Sequence, residues 1–285
     1  MILKSFLRIY LSSHLGQKIK FVKRISHKVE VENGAFCSSA LFASPIRHMS
    51  EISLLSKSNI QDLEDRVLDK SKSNFIVAVE GNIGSGKTTL LQHFEDVPFC
   101  ELIDEPLHKW TNVYGYNALA MLYQDPQRWS FAFNMFALLT RVEMHSRPHK
   151  PSRPVKMLER SLYSTRYCFV QNDFVSKTIN SFEFFTFDQW FNFVVKTGNT
   201  HVDLIVYLRA SPENCYERLK KRSRKEEAGV PMELIQSLHN LYDDWLLKKK
   251  FPIPAPVLLL DADYDLDTMK TMFNSKREEI LCGYS

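Results

Sequence analysis

No run of eighteen apolar residues occurs in these 285 residues; the richest stretch, 131–139, is short and broken by Asn134. A membrane-spanning helix needs about 20 such residues, so no membrane partner is expected. Cysteines are few and scattered. Cys37, Cys100, Cys168, Cys215 and Cys282 are odd in number and contain no C-x-x-C pair. Neither a disulfide framework nor a zinc site follows from that pattern, and reduced structural thiols are expected. Broad positive charge is missing as well. The net charge is +4, but residues 1–50 hold eight Lys/Arg against two Glu, which leaves 29 basic and 31 acidic groups elsewhere. A body so nearly neutral lacks the footprint of a duplex-binding protein, so no nucleic-acid partner is expected. Repeats and low-complexity tracts are absent too. What is present, at 44% hydrophobic and 25% charged residues, is ordinary for a globular chain.

The first informative feature is Gly81-Asn82-Ile83-Gly84-Ser85-Gly86-Lys87-Thr88-Thr89, directly after the apolar run 75–79. A strand entering G-x-x-x-x-G-K-[ST] is the arrangement that holds nucleoside polyphosphates. The glycines let backbone N–H groups turn toward the phosphates, and the following helix N-terminus adds its positive end. Lys87 can reach the β- and γ-phosphates, and the Thr88 hydroxyl is placed to ligate Mg²⁺. A glycine-rich turn that binds nothing would not need all four fixed positions after a strand.

Residues 1–28 hold seven Lys/Arg and no acid, with Leu, Phe, Ile and Ser interspersed, and more Ser and Ala follow through Ser44. That composition predicts a mitochondrial transit peptide or a disordered basic leader over 1–50, with 51–73 a linker. Initiation at Met49 would yield a cytosolic form without the leader.

From about residue 74 to the C-terminus the chain reads as one domain. Short aliphatic strands are predicted over 75–79, 99–103, 155–158, 204–208 and 257–260, with helices over 88–96, 127–145, 163–178, 187–196, 212–225 and 232–249. Strands alternating with helices give an α/β class with a parallel sheet covered on both faces. Functional residues should then lie just past the carboxyl ends of strands.

Polar residues stand at those ends: Asp104-Glu105-Pro106, Glu159-Arg160-Ser161 and Asp261-Ala262-Asp263. Phosphoryl transfer needs positioned phosphates, a metal, an oriented nucleophile and cations. One of two carboxylates beside a phosphate loop can accept the proton of an attacking hydroxyl, and the other can hold Mg²⁺. The basic run 218–225 places Arg218 and Arg222 on one helix face, with Arg224 beyond; such a run can serve as a lid that closes on phosphates. On the helix from Gln127, residues Ser130, Asn134, Ala137 and Arg141 fall within an arc of about 60°, with Phe133 at its edge. Small and polar residues on one stripe of an apolar helix suggest a lined cavity, and an Asn amide can both donate to and accept from a nucleobase edge.

These segments, with Lys109-Trp110 after Pro106 and Arg166-Tyr167 after Ser161, resemble the deoxyribonucleoside kinase family over about residues 74–270. The segments 202–209 and 255–257 look closest to its thymidine-kinase-like and multisubstrate members. The resemblance implies a P-loop kinase fold with a five-stranded parallel sheet flanked by helices and an arginine-bearing lid over 74–285. It also implies a homodimer and Mg²⁺-assisted transfer of the ATP γ-phosphate to the 5′-hydroxyl of a deoxyribonucleoside. Carried over by position, Glu105 is the base at that hydroxyl, with Arg160 beside it. Glu159 helps Thr88 hold Mg²⁺ and is a second candidate for the proton acceptor. Tyr123 and Glu227 bind the sugar 3′-hydroxyl, while Trp110, Phe133 and Phe169 enclose the base. Arg218, Arg222 and Arg224 form the lid, and the stretch after Asp261, including Asp265, touches adenine.

The base-reading positions depart from the family. Asn134 replaces a Gln and reaches about one methylene less. Thymidine-accepting members carry an apolar residue at Arg141 and Ala at Thr165; deoxycytidine- and purine-type members carry Arg and Asp. Arg141 with Thr165, beside Ala137, is neither set, and a charge near the base 5-position would oppose thymidine. Two other readings share the fold. A nucleoside monophosphate kinase would need more arginines for its acceptor phosphate, and a silent accessory subunit would be expected to lose Lys87, Glu105 or Glu159, which this chain keeps.

Overall fold

The computed structural model describes residues 74–284, so the expected leader and linker lie outside the described residues. β1 (Phe75–Glu80) is buried along its whole length, as a central parallel strand of aliphatic residues should be. Burying Ile76, Val77 and Val79 contributes about 1.5–3 kcal/mol each. On one side β1 pairs with β3 (Val155–Glu159), which pairs with β2 (Cys100–Ile103). On the other it pairs with β4 (Leu204–Arg209), then β5 (Val257–Asp261). All four pairings are parallel, giving the order β2-β3-β1-β4-β5. Every predicted strand is present within one or two residues.

The register sets up the chemistry. Val79 lies opposite Glu159, and Ile103 opposite Leu158, so the loops leaving β1, β2 and β3 emerge side by side. The chain reverses its strand order around β1, which is where open parallel sheets form their crevice.

The helices begin where capping chemistry permits. α1 (Lys87–His93) follows the glycine loop. α2 (Leu107–Trp110) and α3 (Ala118–Gln124) are too short to show periodicity, and neither was anticipated. α4 (Pro126–Ser146) starts with Pro126 in its first turn, and the Asp125 carboxylate accepts from the Arg128 N–H at 3.2 Å. In place of one helix over 163–178 there are α5 (Leu162–Ser164), a π turn (Thr165–Val170) and α6 (Gln171–Val175). α7 (Ser181–Thr197) begins six residues earlier than predicted because Asn180 and Glu183 form a capping box. α8 (Pro212–Arg222), a 3₁₀ turn (Lys225–Glu227) and α9 (Met232–Leu246) follow, then α10 (Leu266–Ser275) and α11 (Arg277–Ile280). Among the described residues no helix is long and apolar enough to cross a membrane.

Candidate active site

The loop between β1 and α1 needs its glycines. Gly81 and Gly84 have φ of 148° and 79°, a region that glycine enters freely. A Cβ on Gly81 would lie 2.5 Å from the Leu208 carbonyl oxygen, and one on Gly84 would fall onto the Cys215 carbonyl. Asn82 stiffens the turn: its Nδ2 donates to the Ile235 carbonyl at 2.8 Å and its Oδ1 accepts from the Ile83 N–H at 2.8 Å. The Lys87 ammonium donates to the Asn82 carbonyl at 2.6 Å. Burial, reinforced by the nearby Arg160 charge, lowers the Lys87 pKa to about 7. Ser85, Gly86 and Thr89 complete the turn and the first helical residues.

Across from the loop, the Thr88 hydroxyl donates to both Glu159 carboxylate oxygens, at 3.1 and 3.0 Å. A hydroxyl and a carboxylate are hard oxygen donors of the kind Mg²⁺ selects. No group of three or more His, Cys, Asp or Glu among the described residues could hold a metal unaided.

Glu105, two residues past β2, is gripped by two arginines. The Arg160 guanidinium donates to both its oxygens at 2.8 and 3.0 Å, and Arg141 Nη2 donates to Oε1 at 2.5 Å. Burial favours the neutral acid, but the charges of Arg160 and Arg141 outweigh it and bring Glu105 down to about 2. Arg160 reaches this place from a left-handed backbone, φ 62°, a conformation costing about 1–3 kcal/mol outside glycine. Its N–H bonds the Val79 carbonyl at 2.9 Å, and its Nε and Nη2 donate to the Gly81 carbonyl at 3.3 and 3.2 Å. The strained residue thus ties the phosphate loop to Glu105. Behind it, the buried Glu80 carboxylate accepts from the Ser161 N–H and hydroxyl at 2.7 and 2.6 Å, fixing the turn after β3.

Arg141 is tied to protein groups on three sides. Its charge is directed to Glu105, and Nη1 donates to the Ser161 carbonyl at 2.8 Å and the Ser164 hydroxyl at 3.2 Å. Thr165 offers no carboxylate in the turn that follows, so the carboxylate that Arg141 bonds is Glu105.

One cavity of about 420 Å³ joins these groups. It runs from Ile83, Gly84 and Lys87 past Glu105, Glu159 and Arg160 to an end walled by Trp110, Phe133 and Phe169. Asn134, Ala137, Arg141 and Thr165 line it, so the small and polar stripe of α4 does face a cavity. Tyr123 and Glu227 are also in the lining. Burial and the Glu227 charge raise the Tyr123 hydroxyl's pKa, keeping it a donor. Arg222 and Arg224 cover the cavity and ion-pair with Glu227, Arg224 at 3.5 Å. Arg218 turns away, donating to the Ala262 and Tyr264 carbonyls at 2.8 and 3.0 Å. Asp265 caps α10, accepting from the Asp267 and Thr268 N–H groups, and is not part of the lining.

Among the lining residues that escaped sequence reasoning are two polar neighbours on α6. Asp173 stands four residues after Phe169, the spacing that shares a helix face, and Asn172 is its neighbour. Both were hidden in what reads as an unremarkable polar stretch at a helix end.

Residues 77–281 match the deoxynucleoside kinase family. The chain is 40% identical over 218 residues to human mitochondrial thymidine kinase 2, covering 76% of this chain and 81% of that protein. It is 35% identical to deoxycytidine kinase 2 of Gallus gallus, covering 68% and 84%, and 33% identical to mitochondrial deoxyguanosine kinase of Xenopus laevis, covering 67% and 82%. The chain belongs to the deoxynucleoside kinase family and is a phosphotransferase with the P-loop kinase fold.

Proposed function

We propose that this kinase transfers the γ-phosphoryl group of ATP to the 5′-hydroxyl of a deoxyribonucleoside, with Glu105 accepting the hydroxyl proton. The observation that carries the reading is the continuity of the cavity: phosphate loop at one end, aromatic walls at the other, Glu105 between them. The loop and Lys87 hold the donor phosphates. Arg160, linked to both the loop and Glu105, stands where charge grows during transfer. Mg²⁺ held by Thr88 and Glu159 would neutralise charge on the β- and γ-oxygens. The 5′-oxygen bonds to the γ-phosphorus, the bond to the bridging oxygen breaks, ADP departs and the proton goes to Glu105. A carboxylate as weakly basic as Glu105 suits a loose transition state, in which the nucleophile gives up its proton late. Tyr123 and Glu227 hold the sugar, and Arg222 and Arg224 close the site against water.

The test is phosphorylation of the four natural deoxyribonucleosides with ATP and Mg²⁺. Formation of 5′-monophosphates supports the reading; turnover of monophosphates alone, or of nothing, refutes it. We also infer a homodimer and a mitochondrial leader. The dimer is supported by aromatic side chains left exposed on α7, with Phe182 at 80% and Trp190 at 52% exposure, and by the exposed Leu139 on α4, the helix that packs against α7. The leader is supported by the acid-poor basic composition of residues 1–28 and by the mitochondrial human relative.

A further inference from the structure

Asn134 and Asp173 meet across the aromatic end of the cavity. Asn134 lies two turns of α4, about 10 Å, before Arg141, which touches Glu105. A group read by Asn134 is therefore about a nucleoside's length from the transfer site. Asn134 Nδ2 donates to Asp173 Oδ2 at 2.8 Å, and Asn172 Nδ2 donates to Oδ1 at 3.3 Å. A carboxylate accepts and does not donate, so this bond fixes the Asn134 amide with its nitrogen toward Asp173. Asp173 forms no ion pair among the described residues, and the side chains that donate to it, Asn134 and Asn172, are neutral. Thr165, 1% exposed and in the same lining, has a hydroxyl with no hydrogen-bond partner among the described residues.

This corner is rich in acceptors. Asp173 supplies two oxygens and Asn134 one, with the Thr165 hydroxyl able to play either part. An exocyclic amino group would bring two N–H donors here, whereas a carbonyl would press lone pairs against a carboxylate with no cation beside it. We propose that Asp173, with Asn134, is a specificity-determining residue that selects nucleobases carrying an amino group on the edge they present over those carrying a carbonyl there. The inference rests on the reading that a deoxyribonucleoside occupies this cavity.

The cleanest substrates are deoxycytidine and deoxyuridine, which differ only in the 4-substituent and the ring proton it controls. Deoxyadenosine and deoxyinosine form a second such pair. With the wild-type protein, kcat/KM should favour the amino partner by at least about tenfold in whichever pair is turned over, the discrimination a paired hydrogen-bonding edge provides. Asp173→Asn places a donor in the corner and should bring the ratio toward one, with the KM for ATP unchanged. Asp173→Ala, which removes both acceptors and adds no donor, should also shrink the ratio and guards against misfolding of the first variant. Equal use of both partners, preference for the carbonyl partner, or an unchanged ratio in both folded variants overturns the assignment. If no nucleoside is phosphorylated by any variant, the reading of the cavity itself fails, and that failure is distinct from turnover without amino preference.

Discussion

Replacing Glu105 by Gln tests the centre of the site through two separate readouts. The carboxylate is held at about 2 instead of its ordinary 4.5 by Arg160 and Arg141, against the pull of burial. At pH 7 that difference corresponds to roughly 3 kcal/mol of folding stability. The sign follows from the direction: a depressed folded-state pKa gives stability that is present above 4.5 and lost as pH falls toward 2. At pH 3 less than half of it should remain. Glu105→Gln should therefore unfold roughly 10 °C lower at pH 7, at about 2–4 °C per kcal/mol for a domain of this size, and the gap should narrow in acid. Measured well below its own midpoint, the variant should still bind ATP yet turn over at least 100-fold more slowly, the scale of a lost proton acceptor. Wild-type turnover would remove Glu105 from the mechanism. An unchanged midpoint at pH 7 would refute the two-arginine grip, whatever the turnover showed.

Lys87, lowered to about 7, should be mostly neutral at pH 8 before phosphates arrive, and a polyphosphate beside it favours the charged form. ATP binding at pH 8 should then take up protons, visible as a dependence of calorimetric heat on buffer ionisation enthalpy; a heat that does not vary with buffer, or one that still varies in Lys87→Met, contradicts this. Arg141→Met should destabilise the protein more than it alters base preference, because it strips partners from Glu105, Ser161 and Ser164; a change of preference with unaltered thermal midpoint would return Arg141 to the base. Trp190→Glu with Phe182→Glu should halve the mass seen by light scattering, and a dimer that persists would exclude the α7 face. Residues 1–50 fused to a fluorescent reporter should enter mitochondria, and diffuse cytosolic signal would defeat the leader.

What could be read from the sequence divides along a physical line. The five strands and the phosphate loop depend on runs of neighbouring residues, so apolar stretches and glycine spacing suffice to place them. Glu105 is far in sequence from the adjacent pair Glu159-Arg160, yet their convergence was legible because strand ends in a parallel sheet share one edge. Arg141 shows where that reasoning stops. Its place on the cavity-facing stripe of α4 is periodicity, but its partner is a choice among buried groups on other elements, and Thr165 leaves Glu105 as the carboxylate within reach. Asp173 was harder still, because a π turn between Thr165 and Val170 widens the helix just before it and shifts which residues face inward. A 3.6-residue period laid over 163–178 has no means of recording that shift. The lining residues that a sequence reading missed here, Asp173 and Asn172, are placed by contacts between helices, whereas Glu105, Glu159 and Arg160 are placed by the ends of the sheet's strands.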